Sequence, residues 1–203
     1  MSKTTRNSGY KGSDALDWEE AMSLLSHLEN DGRWRDAMLV AAGCHLGLRI
    51  SDILRLRWCD LTQARPITVT ERKTGKRRIL KVNASLTEIT RRCMEGLGID
   101  DADTLIFTSQ MSGQKKPMTR QRAAQILKDS TARYGIATRR RISTHTLRKT
   151  FGRRVWLQEC DRGHGDQALL LLCDVFGHSS VNITKRYLGI RQEEILSVYD
   201  SLE

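Results

Sequence analysis

The sequence predicts an α+β domain, mainly α-helical, with one small antiparallel β-hairpin. Three observations predict it. Apolar residues recur at helical spacing through most of the 203 residues, and only two prolines interrupt them. A single stretch is β-branched on both sides of a Gly-bearing turn. With 39% hydrophobic residues and no repeat or low-complexity tract, the chain is long enough to bury one full core.

The elements follow in order. Residues 1–16 are polar and carry Lys3, Arg6 and Lys11, so they are expected to form a flexible basic arm. Asp17 with Glu20 is a capping-box start for a first helix bearing Trp18, Ala21, Leu24, Leu25 and Leu28. A second helix runs from Trp34 to Leu46 and is stopped by Gly47. Ser51 or Asp52 is expected to cap a short helix through Leu56. Pro66–Thr70 and Arg78–Val82 are strands joined by Lys73-Thr74-Gly75-Lys76, which gives a hairpin with a cationic tip. Further helices are expected near Ser85–Gly96, Thr119–Tyr134, Thr144–Glu159, Asp166–Phe176 and Val181–Leu188. A terminal helix near Gln192–Leu202 is assigned to a separate segment, 191–203, with 17–190 as the main domain.

Composition narrows the function. A net charge of +10 favours an acidic partner, with nucleic acid leading. The excess is concentrated: Lys115–Arg154 holds thirteen Lys or Arg residues against Asp129, and Arg65–Lys81 holds seven against Glu71. Cys44, Cys59, Cys93, Cys160 and Cys173 form no C-x-x-C pair and lie mostly among apolar residues, as buried thiols of a reducing compartment do. No apolar run reaches transmembrane length, so no membrane partner and a cytoplasmic location are expected. RNA-recognition motifs and runs of exposed aromatics are missing, which disfavours an RNA-binding module.

The last third brings together chemistry. Tyr187 follows His178 by nine residues in Gly177-His178-Ser179-Ser180…Tyr187, and His145-Thr146-Leu147-Arg148 supplies a second imidazole and a guanidinium on one helix face. Attack on a phosphodiester by a protein nucleophile needs such parts: a phenol, cations for the non-bridging oxygens, an acid for the leaving oxygen, and a base for the phenolic proton. Arg49, in Gly47-Leu48-Arg49-Ile50-Ser51-Asp52, sits beside apolar positions, where a guanidinium needs a partner; Asp52, three residues on, is a candidate, the alternative being that Asp52 makes a plain helix salt bridge or N-cap. No carboxylate cluster or His/Cys spacing suits a metal, so neither metal nor other cofactor is expected.

These segments, in this order, resemble the motifs of the tyrosine recombinases (phage-integrase family) from about Asp17 to Leu188. The resemblance implies that Arg49 and Arg148 clamp the scissile phosphate, Lys73 protonates the leaving 5′-oxygen, and His145 acts in proton transfer. It further implies that His178 hydrogen-bonds the phosphate, Tyr187 forms a 3′-phosphotyrosyl link, and Asp52 supports from behind. Lys76 competes with Lys73 in the same turn. Tyr134 and Tyr199 lack the spacing of a nucleophile. Contacts to DNA are expected from Lys76, Arg77, Arg120, Arg122, Arg139, Arg140, Arg141 and Lys149. The implied partners are double-stranded DNA, three further copies in a tetramer on DNA, and an accessory DNA-bending protein. Family members commonly carry a separate DNA-binding domain ahead of the catalytic one, and here about sixteen residues precede the first helix. The chain is therefore expected to be a catalytic domain similar in size to the short inversion recombinases. The expected activity is site-specific integration, excision or inversion. The alternatives are DNA relaxation of the type IB topoisomerase kind and a non-catalytic DNA-binding protein of the same fold.

Overall fold

The computed structural model describes residues 12–109, 116–190 and 199. Helix α1 (Trp18–Asn30) is capped by Asp17, whose backbone N–H donates to Glu20 Oε2 at 2.9 Å. Helix α2 (Trp34–Leu46) is the core of the molecule, with Ala37 to Cys44 buried without a break. A helix that is apolar on all sides must be covered on all sides. Here α1, α5 (Ala84–Leu97) and α7 (Thr144–Cys160) pack around it. Gly43 lets α7 approach, because a Cβ there would lie 2.4 Å from Leu147 Cδ1.

Between α2 and α5 the chain forms α3 (Ile50–Ile53), α4 (Trp58–Leu61) and the hairpin of β1 (Pro66–Thr70) with β2 (Arg77–Lys81). The strands are antiparallel, with Pro66 opposite Lys81 and Thr70 opposite Arg77. Helices α6 (Arg120–Arg133), α8 (Gly165–Phe176) and α9 (Val181–Leu188) follow among the described residues. Leu169, Leu172, Phe176, Leu188 and Ile190 form a second, smaller cluster against Phe151, Val155 and Tyr187. Burying each such side chain contributes about 1.5–3 kcal/mol, so the cluster can fix α9 on α7 and α8.

The helices expected between Asp17 and Leu188 are present, with ends displaced by at most one or two residues except that α3 stops at Ile53, three residues short of the expected Leu56. Four details differ. Arg49, not Ser51 or Asp52, is the N-cap of α3, and Asp52 lies inside that helix. Four-residue α4 was not expected, since one turn carries no periodicity to detect. Strand β2 begins one residue early, at Arg77. Residues 13–16, assigned to the flexible arm, are packed: Leu16 is buried, its N–H donates to Thr150 Oγ1 at 2.9 Å, and Asp14 N–H donates to Arg141 O at 2.9 Å. The expected helix Gln192–Leu202 lies outside the described residues but for Tyr199.

Candidate active site

The site is organised by the C-terminal end of α8. The last carbonyls of a helix have no intrahelical donors and carry partial negative charge. Gly177 ends α8 in the left-handed conformation (φ 62°), and a Cβ there would come within 3.0 Å of Arg78 Nη2. Glycine therefore leaves the helix end open to side chains. Phe176 O accepts from Arg49 Nη2 at 3.2 Å and from Arg148 Nη2 at 3.0 Å. The neighbouring Val175 O accepts from Arg78 Nη1.

Arg148 also donates through Nη1 to Gly47 O at 2.7 Å, so it ties the end of α2 to the end of α8. Its guanidinium lies 4.5 Å from the Phe176 ring centroid and its side chain is buried. Burial pushes its pKa down to about 10, which leaves it charged at neutral pH. Arg49 is anchored from its other nitrogen by an ion pair to Glu71 Oε2 at 2.7 Å.

These arginines face a cleft of about 870 Å³. Arg49, Arg55, Arg72, Lys73, Lys116, Arg120, Arg148 and His145 line it, and no described lining residue is acidic. Such a wall attracts a polyanion and repels a cationic partner. Lys73 lines the cleft and Lys76 does not.

Tyr187 stands at the far side of His145. Its hydroxyl is 3.4 Å from His145 Nδ1, a long contact of the kind that can shorten when substrate binds. Its ring packs edge-on against Phe176 and His178, with centroids 5.4 and 5.1 Å away. His178 Nδ1 lies 3.0 Å from Thr184 Oγ1, which fixes the ring and leaves Nε2 for another partner. Burial, and after it the Arg148 and Arg49 charges, lowers the His178 pKa. For His145, burial leads again, followed by Arg148, Lys149, Arg49 and Lys73. Both imidazoles are thus neutral at neutral pH, the form in which histidine can accept a proton.

Residues 14–194 match the phage integrase family. The chain belongs to this family. Among similar proteins is the probable integrase/recombinase YoeC of Bacillus subtilis, 31% identical over 181 residues, covering 89% of this chain and 91% of that protein. The tyrosine recombinase XerC of Xanthomonas campestris is 29% identical over 189 residues, which is 92% of this chain but 54% of XerC. The chain thus spans about half the length of XerC. Among solved structures, XerH site-specific recombinase bound to its difH substrate aligns with a TM-score of 0.65 at 20% identity, covering 98% of this chain and 57% of XerH. At that identity the likeness is one of fold.

Within this integrase-family fold, Arg49, Lys73, His145 and Arg148 come together around the cleft, while His178 and Tyr187 are joined to them through Phe176 and His145. Arg120 lines the cleft, whereas Lys76, Arg77, Arg122, Arg139 and Arg141 are exposed elsewhere. Three expectations are corrected. Asp52 is not the partner of Arg49: it is buried, accepts from Arg72 N–H at 3.0 Å, and anchors the hairpin to α3. Arg140 is engaged internally, with Glu20 at 2.6 Å, Asp17 at 3.1 Å and Ala15 O at 3.1 Å. Lys149 is buried, donates to Ser13 O at 2.5 Å, and lies 5.1 Å from the Tyr187 ring centroid, so it offers no surface to DNA. Both basic residues are used to hold residues 13–17 against the body of the protein. Glu71, Arg78 and Thr184 were missed as site residues. Glu71 had a signal, as the lone acid in a run of seven bases.

Proposed function

We propose that the protein breaks and rejoins DNA at specific sites through a covalent 3′-phosphotyrosyl link to Tyr187. The observation that carries this reading is one contact in its setting: the Tyr187 hydroxyl meets the neutral His145, which also lines the cleft of Arg49, Arg148 and Lys73.

The chemistry follows from the placement. The scissile phosphate occupies the cleft, where Arg49 and Arg148 neutralise the charge that grows on its non-bridging oxygens. Tyr187 Oη attacks phosphorus as His145 takes the phenolic proton, since a phenol of pKa about 10 is a weak nucleophile at neutral pH. The P–O5′ bond breaks, and Lys73 gives a proton to the departing 5′-oxygen. His178, held by Thr184 through Nδ1, offers Nε2 to the phosphate. A 5′-hydroxyl from a second duplex then attacks phosphorus and gives its proton to Lys73, the Tyr187 Oη–P bond breaks, His145 returns the proton to the phenol, and the strand is resealed. The link conserves the phosphodiester energy, so ATP is not consumed. Exchange between two duplexes requires four protomers on DNA, and a DNA-bending protein would help bring the sites together. Cytoplasmic residence belongs to the same proposal.

The test uses a supercoiled plasmid carrying two copies of the DNA that flanks the coding region, where inverted repeats would nominate the target site. Recombinant plasmids are expected. Relaxed circles alone would assign a topoisomerase activity, and binding without any covalent adduct would assign a non-catalytic protein.

A further inference from the structure

Glu71 is a fully buried carboxylate that the proposed chemistry does not use, yet it contacts both halves of the machinery. Its Oε2 pairs with Arg49 Nη1 at 2.7 Å and its Oε1 with Arg78 Nε at 2.6 Å, and its side chain is 1% exposed. Thr74 Oγ1 donates to Oε2 at 2.7 Å. The backbone closes over it as well: Gly75 N–H donates to Glu71 O at 2.8 Å, and Glu71 N–H to Lys76 O at 2.9 Å. The loop that carries Lys73 is thus wrapped around the same carboxylate that holds Arg49. Burial alone would push the Glu71 carboxyl up, but the Thr74 hydroxyl and the Arg49 and Arg78 guanidiniums outweigh it and keep it an anion at neutral pH.

Resting on the recombinase reading above, we infer that Glu71 is a positioning residue that sets the Lys73 hairpin in register with the Arg49 clamp, with Thr74 as its link to the hairpin tip. A buried ion pair seldom stabilises a fold more than apolar packing would, so its stabilising value alone does not account for a carboxylate here. Charge gives the second reason. Arg49, Arg78 and Arg148 converge on the end of α8, and Glu71 leaves two net positive charges among the four side chains. Without it, the cleft holds a ground-state phosphate more tightly but no longer points its donors at the transition state. Positioning therefore predicts effects of opposite sign on binding and chemistry.

The experiment compares wild type, Glu71→Gln and Thr74→Val on a nicked suicide site, with either a normal 5′-oxygen or a 5′-bridging sulfur as leaving atom. For Glu71→Gln, DNA affinity at low salt should rise roughly two- to fivefold, the size of a partly solvated charge interaction. Adduct formation within the bound complex should slow by roughly 10- to 100-fold, the range for losing a hydrogen bond to a charged group. Thr74 is exposed, so its variant folds; it should slow cleavage of the oxygen substrate by roughly 2- to 10-fold and match wild type on sulfur, which leaves without an acid. A wild-type rate in bound Glu71→Gln overturns the inference. So does a joint fall of affinity, rate and melting temperature in Glu71→Gln with Thr74→Val unaltered on both substrates. Wild-type enzyme that forms no adduct overturns the recombinase reading itself.

Discussion

Replacing Arg148 by methionine should remove activity while leaving the fold almost as stable as before. Burial pushes this guanidinium down to about 10, well below its ordinary value. Each tenfold change in a protonation equilibrium corresponds to about 1.4 kcal/mol, so holding the charge in place costs the fold about 3 kcal/mol. Methionine keeps much of the aliphatic stem and removes that cost. Against this, Gly47 O loses its donor, a penalty of about 1–3 kcal/mol, while Phe176 O still accepts from Arg49. The two effects nearly cancel, and the net change should lie within about 2 kcal/mol of zero. For a chain of this size that is a shift in melting temperature of no more than about 8 °C, in either direction. Cleavage should fall about 10²–10³-fold or more, as when one preorganised donor to a developing oxyanion is lost. Thermal melting and adduct formation on a nicked site, measured on one preparation, test both halves. A variant that unfolds, or one that retains cleavage, refutes this account of Arg148.

Adduct formation should decline as pH falls from about 7.5 to about 5, because acid returns the proton that burial and the Arg148, Lys149, Arg49 and Lys73 charges keep off His145. Stability should decline below about pH 6.5 as well, since His145 and His178 bind protons more readily unfolded than folded; a flat rate profile contradicts the assignment of the base. Lys73→Ala should slow cleavage about 10²–10⁴-fold with little loss of binding, and a 5′-sulfur leaving atom should restore it. If Lys76→Ala shows that rescued defect instead, the acid lies at the other end of the turn. DNA affinity should drop about 10³–10⁵-fold between about 50 and 200 mM salt if roughly 6–10 phosphates are contacted, and a shallow slope would point to another kind of partner.

The legible parts of the fold were those with local causes. Asp17 and Glu20 announce α1, Gly47 ends α2, and the β-branched runs on either side of Lys73-Thr74-Gly75-Lys76 mark the hairpin. Arg49, Lys73, His145 and Arg148, each singled out by a short motif, lie together around one cleft, and His178 and Tyr187 pack beside them. What failed was partnership across the chain. Asp52 was near Arg49 in sequence, but the hairpin folds over α3 and brings Glu71 to the guanidinium, leaving Asp52 to hold the Arg72 amide. Charge runs misled for a similar reason. Arg140 belongs to a basic stretch, yet Asp17 and Glu20 return to neutralise it, and Lys149 turns inward to the Ser13 carbonyl. A net excess of bases marks the surface on average and does not say which members of the run are used inside.

The most direct measurement is covalent trapping with Tyr187→Phe. Phenylalanine keeps the ring between Phe176 and His178 and removes only the oxygen 3.4 Å from His145. Wild-type protein incubated with a nicked site should yield a protein–DNA species that survives denaturing electrophoresis. The phenylalanine variant should bind the same DNA with near wild-type affinity, melt at nearly the same temperature and yield none of it. If the adduct still forms, the nucleophile is another residue, Tyr199 being the first to examine, and the central assignment is wrong.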